Sequence, residues 1–310
     1  MKVAVVTGAN GFIGAAVTKE LLKLDYKVYA IVTDANALLD LECQNLTVIK
    51  AFFEEYQEIP NEIKEPVDVF YHFAWQGVWG KPFSDYSLQM KNAVNAGMAM
   101  EIAQKVKAKK FILASTVNVL EIISIINGKQ MKKMRATANY AMAKLSAEMI
   151  CRTLTNNNET DFNCAYIAMT YGPGNFSLMV PNVVMGELIA NESPDLIEGN
   201  GLYDLIYIDD VARGFVAIGE KGKPMTSYYL GHSNLKTFKQ LFTEIGEIIN
   251  PQIKLNFGAY KDDNQIDYFL VDVKALEKDT GFSPSSDFKK SITITSEWIK
   301  QNDILGRNKK

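Results

Sequence analysis

Thr7-Gly8-Ala9-Asn10-Gly11-Phe12-Ile13-Gly14 follows the apolar run Val3-Ala4-Val5-Val6 and precedes Ala15-Ala16-Val17-Thr18-Lys19-Glu20-Leu21-Leu22, whose apolar residues recur at helical spacing. The order is strand, glycine turn, helix. Glycines at 8, 11 and 14 permit a sharp turn, a close approach of a pyrophosphate to the main chain, and tight packing of helix on strand. The free N–H groups and the positive dipole end of that helix then face the phosphates. The predicted ligand is a dinucleotide, held by Gly8, Asn10, Gly11, Phe12, Ile13 and Gly14.

The first half of the chain continues the alternation. Lys27 to Val32, Leu46 to Lys50, Val67 to Phe73 and Lys110 to Ala114 read as further strands, with helical patterns between several of them, notably Tyr86 to Lys107. This predicts an α/β fold with a doubly wound parallel sheet and right-handed crossovers. Ligand is expected outside the carboxyl ends of the strands.

Composition narrows the class. A chain of 310 residues with 47% hydrophobic and 22% charged residues is long enough for one large or two unequal domains of ordinary globular type. A net charge of −3 without a long basic run gives no electrostatic reason to bind nucleic acid or an anionic membrane. Lys105, Lys107, Lys109 and Lys110 cluster where a helix is expected to end, a favourable place for cations. Cys43, Cys151 and Cys164 lack CxxC spacing, and His72 and His232 are the only two histidines, so neither a disulfide framework nor a metal centre is predicted. The N-terminus enters a strand at once and no run is long enough to span a bilayer; a cytoplasmic enzyme is the expectation.

The glycine spacing is distinctive, because the three glycines lie three residues apart rather than two and then three. TGxxGxxG, here Thr7-Gly8-Ala9-Asn10-Gly11-Phe12-Ile13-Gly14, resembles the short-chain dehydrogenase/reductase superfamily and in particular its extended branch of nucleotide-sugar epimerases, dehydratases and ketoreductases. The resemblance implies a Rossmann sheet with a smaller mixed C-terminal substrate domain: residues 1–170 with 203–232 bind the dinucleotide, and 171–202 with 233–310 the substrate. It continues through Asp68-Val69-Phe70-Tyr71-His72-Phe73-Ala74, which implies that Phe73 and Ala74 lie beside the cofactor and that His72 is a packed strand residue. Trp75-Gln76-Gly77-Val78-Trp79-Gly80 follows at the strand's carboxyl end and is expected to line the cleft, with Trp75 touching both cofactor and substrate. Tyr171-Gly172-Pro173-Gly174-Asn175 matches the turn bordering nicotinamide and substrate, and Asp204 to Ala212 matches a later strand-to-helix motif.

Tyr140-Ala141-Met142-Ala143-Lys144 carries the expected chemistry. Tyrosine and lysine four apart share a helix face. A free phenol ionises near pH ~10; a nearby Lys⁺ and an oxidised nicotinamide both favour the phenolate and lower that value. By resemblance Tyr140, Lys144, Thr116 and the helical Asn92 form the catalytic set, with Thr116 holding the reacting oxygen, Ser115 structural, and Asn92 helping to organise the lysine and a water.

Departures from the family pattern shape the cofactor and substrate expectations. Val32 stands at the usual ribose-binding acid and Thr33 where NADP-preferring relatives often carry Arg; Asp34 is placed to hold the ribose instead. The cofactor is NADP or NAD, with the missing acid leaning toward NADP. After the third strand, Ala51-Phe52-Phe53 replaces an adenine-contacting Asp with a stacking or a packed aromatic. Val117 and Asn118 replace the Asp-Glu pair that 4,6-dehydratases use for elimination, so dehydration is not expected. Tyr203 replaces a diphosphate-clamping Arg, Leu120-Glu121 stands where a Tyr-Gly is frequent, and arginines occur only at 135, 152, 213 and 307. Substrate contacts are expected from Trp75, Thr116, Asn175 and Tyr203. The reading is a nucleotide-sugar 4-ketoreductase or a C4 epimerase with retained cofactor. A non-enzymatic cofactor sensor is disfavoured by the Tyr140/Lys144 pair. A homodimer through the helices of Asn92 and Tyr140 is a further expectation.

Overall fold

The computed structural model describes residues 1–34, 43–128, 134–135, 138–156, 159–262 and 266–306. The strands run in chain order β1 (Val3–Thr7), β2 (Lys27–Val32), β3 (Leu46–Lys50), β4 (Val69–His72), β5 (Lys110–Thr116) and β6 (Asp161–Ile167). Shorter pieces follow: β7 (Met169–Tyr171), β8 (Asp195–Ile197), β9 (Leu202–Tyr203) and β10 (Leu205–Tyr207). The series ends with β11 (Thr226–Leu230), β12 (Lys236–Thr237) and β13 (Asn256–Tyr260). The helices are α1 (Phe12–Lys23), α2 (Ile59–Glu62), α3 (Tyr86–Lys105), α4 (Val119–Ile126), α5 (Ala138–Leu154), α6 (Val180–Ile189), α7 (Ile208–Lys221), α8 (Phe238–Ile249), α9 (Ala275–Thr280) and α10 (Phe288–Asn302).

Seven strands form one parallel sheet in the order β11-β6-β5-β4-β1-β2-β3. Val3, Val5, Val28, Phe70, Phe111 and Phe162 are buried because helices cover both faces, the situation that makes such strands continuously apolar. The order reverses between β1 and β4, which opens a crevice at their carboxyl ends where Gly8 and Ala74 sit. A second core, built from Tyr171, Val184, Met185, Leu205, Phe238, Phe242 and Ile292, gathers β7, β10, α6, α8 and α10.

Several boundaries differ from the sequence reading. The fourth strand is shorter than Val67 to Phe73, and the fifth runs on to Thr116 because its whole length pairs with β6. The helix expected to reach Lys107 ends at Lys105, where the backbone turns over with Lys107 at φ 54°. Lys110 does not decorate that helix end: it is buried in β5, and its Nζ donates to the carbonyls of Ile218 and Gly222 at 3.1 and 2.8 Å, capping α7 from across the sheet. Among the described residues no helix is long and apolar enough to cross a membrane.

Packing of α1 on the glycine turn is close enough to test. A Cβ on Gly14 would fall inside van der Waals contact of the Gly8 carbonyl, and one on Gly8, whose φ is +65°, would lie 2.7 Å from the Ala74 nitrogen. Gly14→Ala is expected to destabilise by roughly 1–3 kcal/mol through overpacking, read as a lowered urea midpoint at unchanged slope.

A buried histidine gives a pH prediction. His72 Nδ1 lies 2.8 Å from Thr7 Oγ1, its Nε2 has no partner among the described residues, and burial together with the Lys144 charge lowers its pKa from 6.5 to about 3. The folded ring stays neutral while the unfolded one takes up a proton. Its contribution is therefore complete above about pH 6.5 and is lost as pH falls toward 3. His72→Gln is expected to flatten the fall in urea midpoint between those limits.

Candidate active site

The turn between β1 and α1 carries the expected cofactor loop. Gly11 is the N-cap of α1, no side chain caps that helix, and no acidic residue occupies its first turn. The first-turn N–H groups are thereby left for an anion, and the backbones of Gly8, Phe73 and Ala74 are in contact. These features fit a dinucleotide pyrophosphate. Asn10 and Gly11 are exposed, Phe12 and Ile13 half-buried. The Phe73 ring turns away from this loop and packs edge-on against Phe215 of α7 at 4.7 Å, so its position beside the loop is that of its backbone. Thr33 and Asp34 stand exposed just beyond β2. Beyond β3, Phe53 packs on Tyr56 whereas Phe52 is exposed.

Two strands away lies the tyrosine–lysine pair. Lys144 is buried, and its Nζ donates to the Ala114 carbonyl of β5 at 2.8 Å. Thr116, two residues further along that strand, is half-buried, and its Oγ1 accepts from the Asn118 amide at 3.2 Å. The adjacent Ser115 is buried beside Cys164. Tyr140 sits one helical turn before Lys144, half-buried, with Phe83 at 4.7 Å and Trp75 at 6.0 Å between ring centres. Burial sets the protonation of both groups. It lowers Lys144 from 10.5 to about 7 and raises the Tyr140 phenol above its ordinary value. The Lys144 ammonium, expected to favour the phenolate together with an oxidised nicotinamide, lies 5.7 Å from the ring centre and is engaged with a carbonyl.

Asn92, expected to help organise the lysine through its backbone or side chain, has its side chain committed to the main chain. Its side chain accepts from the Gln76 amide at 3.0 Å and donates to the Gln76 carbonyl at 2.8 Å, fixing the loop after β4 rather than reaching the lysine. Gln89, one turn earlier on α3 and overlooked in the sequence, does the same work. It accepts from Trp75 Nε1 at 2.8 Å and donates to the carbonyls of Gly77 and Pro82 at 2.8 and 3.0 Å. An amide three residues before Asn92, on the same helix face, is the signal the sequence held for it.

Other expected site residues have side chains committed elsewhere. Tyr171 is buried in the second core, its hydroxyl 2.6 Å from Ser291 of α10. Asn175 accepts from the amide and hydroxyl of Ser177 and donates to the Thr170 carbonyl, holding its own turn. Tyr203 packs edge-on against Phe238 at 5.2 Å. The frequent Tyr-Gly is replaced by a wholly buried Glu121 that pairs with Arg135, whose charge is felt by Tyr203. Arg152 and Arg213 pair with Glu148 and Asp210, and Arg307 lies outside the described residues. A dyad missed in the sequence lies past β11. Buried Asp204 faces His232 Nδ1 at 2.8 Å and accepts from the Tyr229 hydroxyl at 2.6 Å. Leu230 aligns with Thr116 through Ile167, which puts His232 at the same edge of the sheet.

Comparison with known proteins agrees with this geometry. Over 97% of its length the chain is 24% identical to a dTDP-D-glucose 4,6-dehydratase of Bos taurus, of which it covers 89%. It is 23% identical over 96% of its length to a trifunctional UDP-glucose 4,6-dehydratase/UDP-4-keto-6-deoxy-D-glucose 3,5-epimerase/UDP-4-keto-L-rhamnose-reductase of Arabidopsis thaliana, spanning 47%, about half, of that protein. The UDP-glucuronic acid 4-epimerase of Bacillus cereus, solved with UDP-glucuronic acid and NAD, shares the fold with a TM-score of 0.76 at 22% identity, over 97% of this chain and all of that one. Residues 4–231 match the family model for the NAD dependent epimerase/dehydratase family. From the glycine loop to the end of β11, therefore, the chain belongs to the NAD dependent epimerase/dehydratase family and is an enzyme of the extended short-chain dehydrogenase/reductase type.

Proposed function

We propose that this enzyme reduces a 4-keto sugar linked to a nucleotide. One observation carries the reading against dehydration: Val117 and Asn118, next to Thr116, hold neither the acid nor the base that eliminating water requires, whereas Tyr140 and Lys144 supply what carbonyl reduction requires.

Bound at the glycine loop, a reduced nicotinamide supplies the hydride. Gly8, Asn10, Gly11, Phe12, Ile13 and Gly14 hold its dinucleotide, with Thr33 and Asp34 at the adenosine ribose and Phe52 free to stack on the base. Absence of an acid at Val32 favours NADP over NAD. Tyr140 donates the phenolic proton to the C4 oxygen, and Thr116 hydrogen-bonds that oxygen. Lys144 would favour the phenolate left behind. Trp75 and the Asn175 turn wall the sugar. Segments 171–202 and 233–310, whose apolar residues dominate the second core, form the substrate domain. Exposed Met90 and Val94 on α3, with Met142 and Met149 on α5, provide an apolar face for a homodimer.

A panel of nucleotide-linked 4-keto sugars, followed through the absorbance of reduced NAD and of reduced NADP, tests the assignment. Net loss of absorbance is expected, and Tyr140→Phe is expected to lower turnover about 10²–10⁴-fold with cofactor binding intact. Inversion at C4 without net consumption would make the enzyme an epimerase instead. Equal turnover in the Tyr140→Phe protein would remove the tyrosine from the chemistry.

A further inference from the structure

Lys144 holds a proton in a dry place with unusual neighbours. Its Nζ lies 3.6 Å from the centre of the Trp75 ring while it donates to the Ala114 carbonyl. The titratable groups around it carry no compensating charge near neutral pH. Tyr140 on α5 is held above its ordinary value by burial, His72 on β4 is held neutral, and burial raises Cys164 on β6 well above the usual thiol range. A carbonyl and an indole face are thus the groups that favour the ammonium. An indole is the strongest aromatic partner for a cation, and more so away from water.

The indole is also aimed. Its Nε1 is bound by Gln89, whose own amide nitrogen is fixed by two loop carbonyls, and Asn92 clamps the next residue through both main-chain groups. Both amides are buried on α3, so the loop from Trp75 to Pro82 is read by a rigid helix. A wall for a sugar would require only bulk at this place. Five hydrogen bonds converging on one loop instead hold the plane of one ring over one nitrogen.

We propose that Trp75, oriented by Gln89, is a positioning residue that keeps the Lys144 ammonium charged and seated on the Ala114 carbonyl beside Tyr140. The proposal rests on the assignment of Tyr140 and Lys144 to proton transfer for its catalytic meaning, but not for its physical content. Lys144 titrates at about 7, so a small change in support for its charged form changes its occupancy in the working range. Losing the indole face disfavours the ammonium and moves its midpoint to lower pH.

Two measurements test this. The chain has three tryptophans, and Trp79→Phe with Trp298→Phe leaves Trp75 as the sole indole reporter. Its emission between pH 5.5 and 9 is expected to show one step near pH 7 that Lys144→Met abolishes and Gln89→Met moves down by about half to one unit. A flat profile, or a step that survives Lys144→Met, overturns the proposal. In turnover, the alkaline limb of kcat is expected to shift to lower pH in Trp75→Leu and to return most of the way in Trp75→Phe. A Trp75→Leu protein whose kcat falls by one factor at every pH overturns it as well. A fluorescence step in a protein that turns over no nucleotide sugar would sink the proposed function and leave this contact standing.

Discussion

Contact between the first turn of α1 and the carbonyl of Gly8 governs the rest of the molecule. A residue with any side chain at position 14 would lever the helix away from the sheet. Because Gly8 also touches the main chain at Ala74, the same displacement would spread to the end of β4 and the loop that carries Trp75. The Thr7 hydroxyl joins the two strands a second time, at 2.8 Å from His72 and 3.3 Å from the Ala74 amide. The reversal of strand order thus becomes a fixed crevice rather than a gap between loosely paired edges.

Dryness is the second organising condition. Removing water pushes the lysine and the tyrosine in opposite directions, each toward its neutral form. The phenol therefore stays protonated while the lysine, lowered to about 7, gains or loses its proton in the neutral range. The aromatic ring of Phe83 and the indole of Trp75 close the sides of the phenol and keep that condition.

What could be read from the sequence was what depends on neighbours in the chain. Strand, turn and helix around Gly8, Gly11 and Gly14 are local facts, and so is the spacing of Tyr140 and Lys144 on one helical face. The parallel order of the sheet followed from the alternation of elements. Gln89 could not be read this way, because its partners at Trp75, Gly77 and Pro82 become neighbours only when the loop folds onto α3. The partners of Lys110, a residue the sequence already places at the start of the fifth strand, are hidden for the same reason: they lie more than a hundred residues away, on a helix that crosses behind it. The side chains of Tyr171 and Tyr203 were assigned by motif position, whereas packing in the second core decides where they point.

Helix α7 belongs to both cores. Its Phe215 faces Phe73 under the sheet, while Asp210, one and a half turns earlier, accepts from the amides of Ser285 and Ser286 at 2.9 and 3.1 Å, just ahead of α10. The chain therefore crosses between its halves through a shared element rather than a linker. Neither half is an excisable module, and a chimera that exchanges the second core for that of a relative would have to carry the outer surface of this one helix with it.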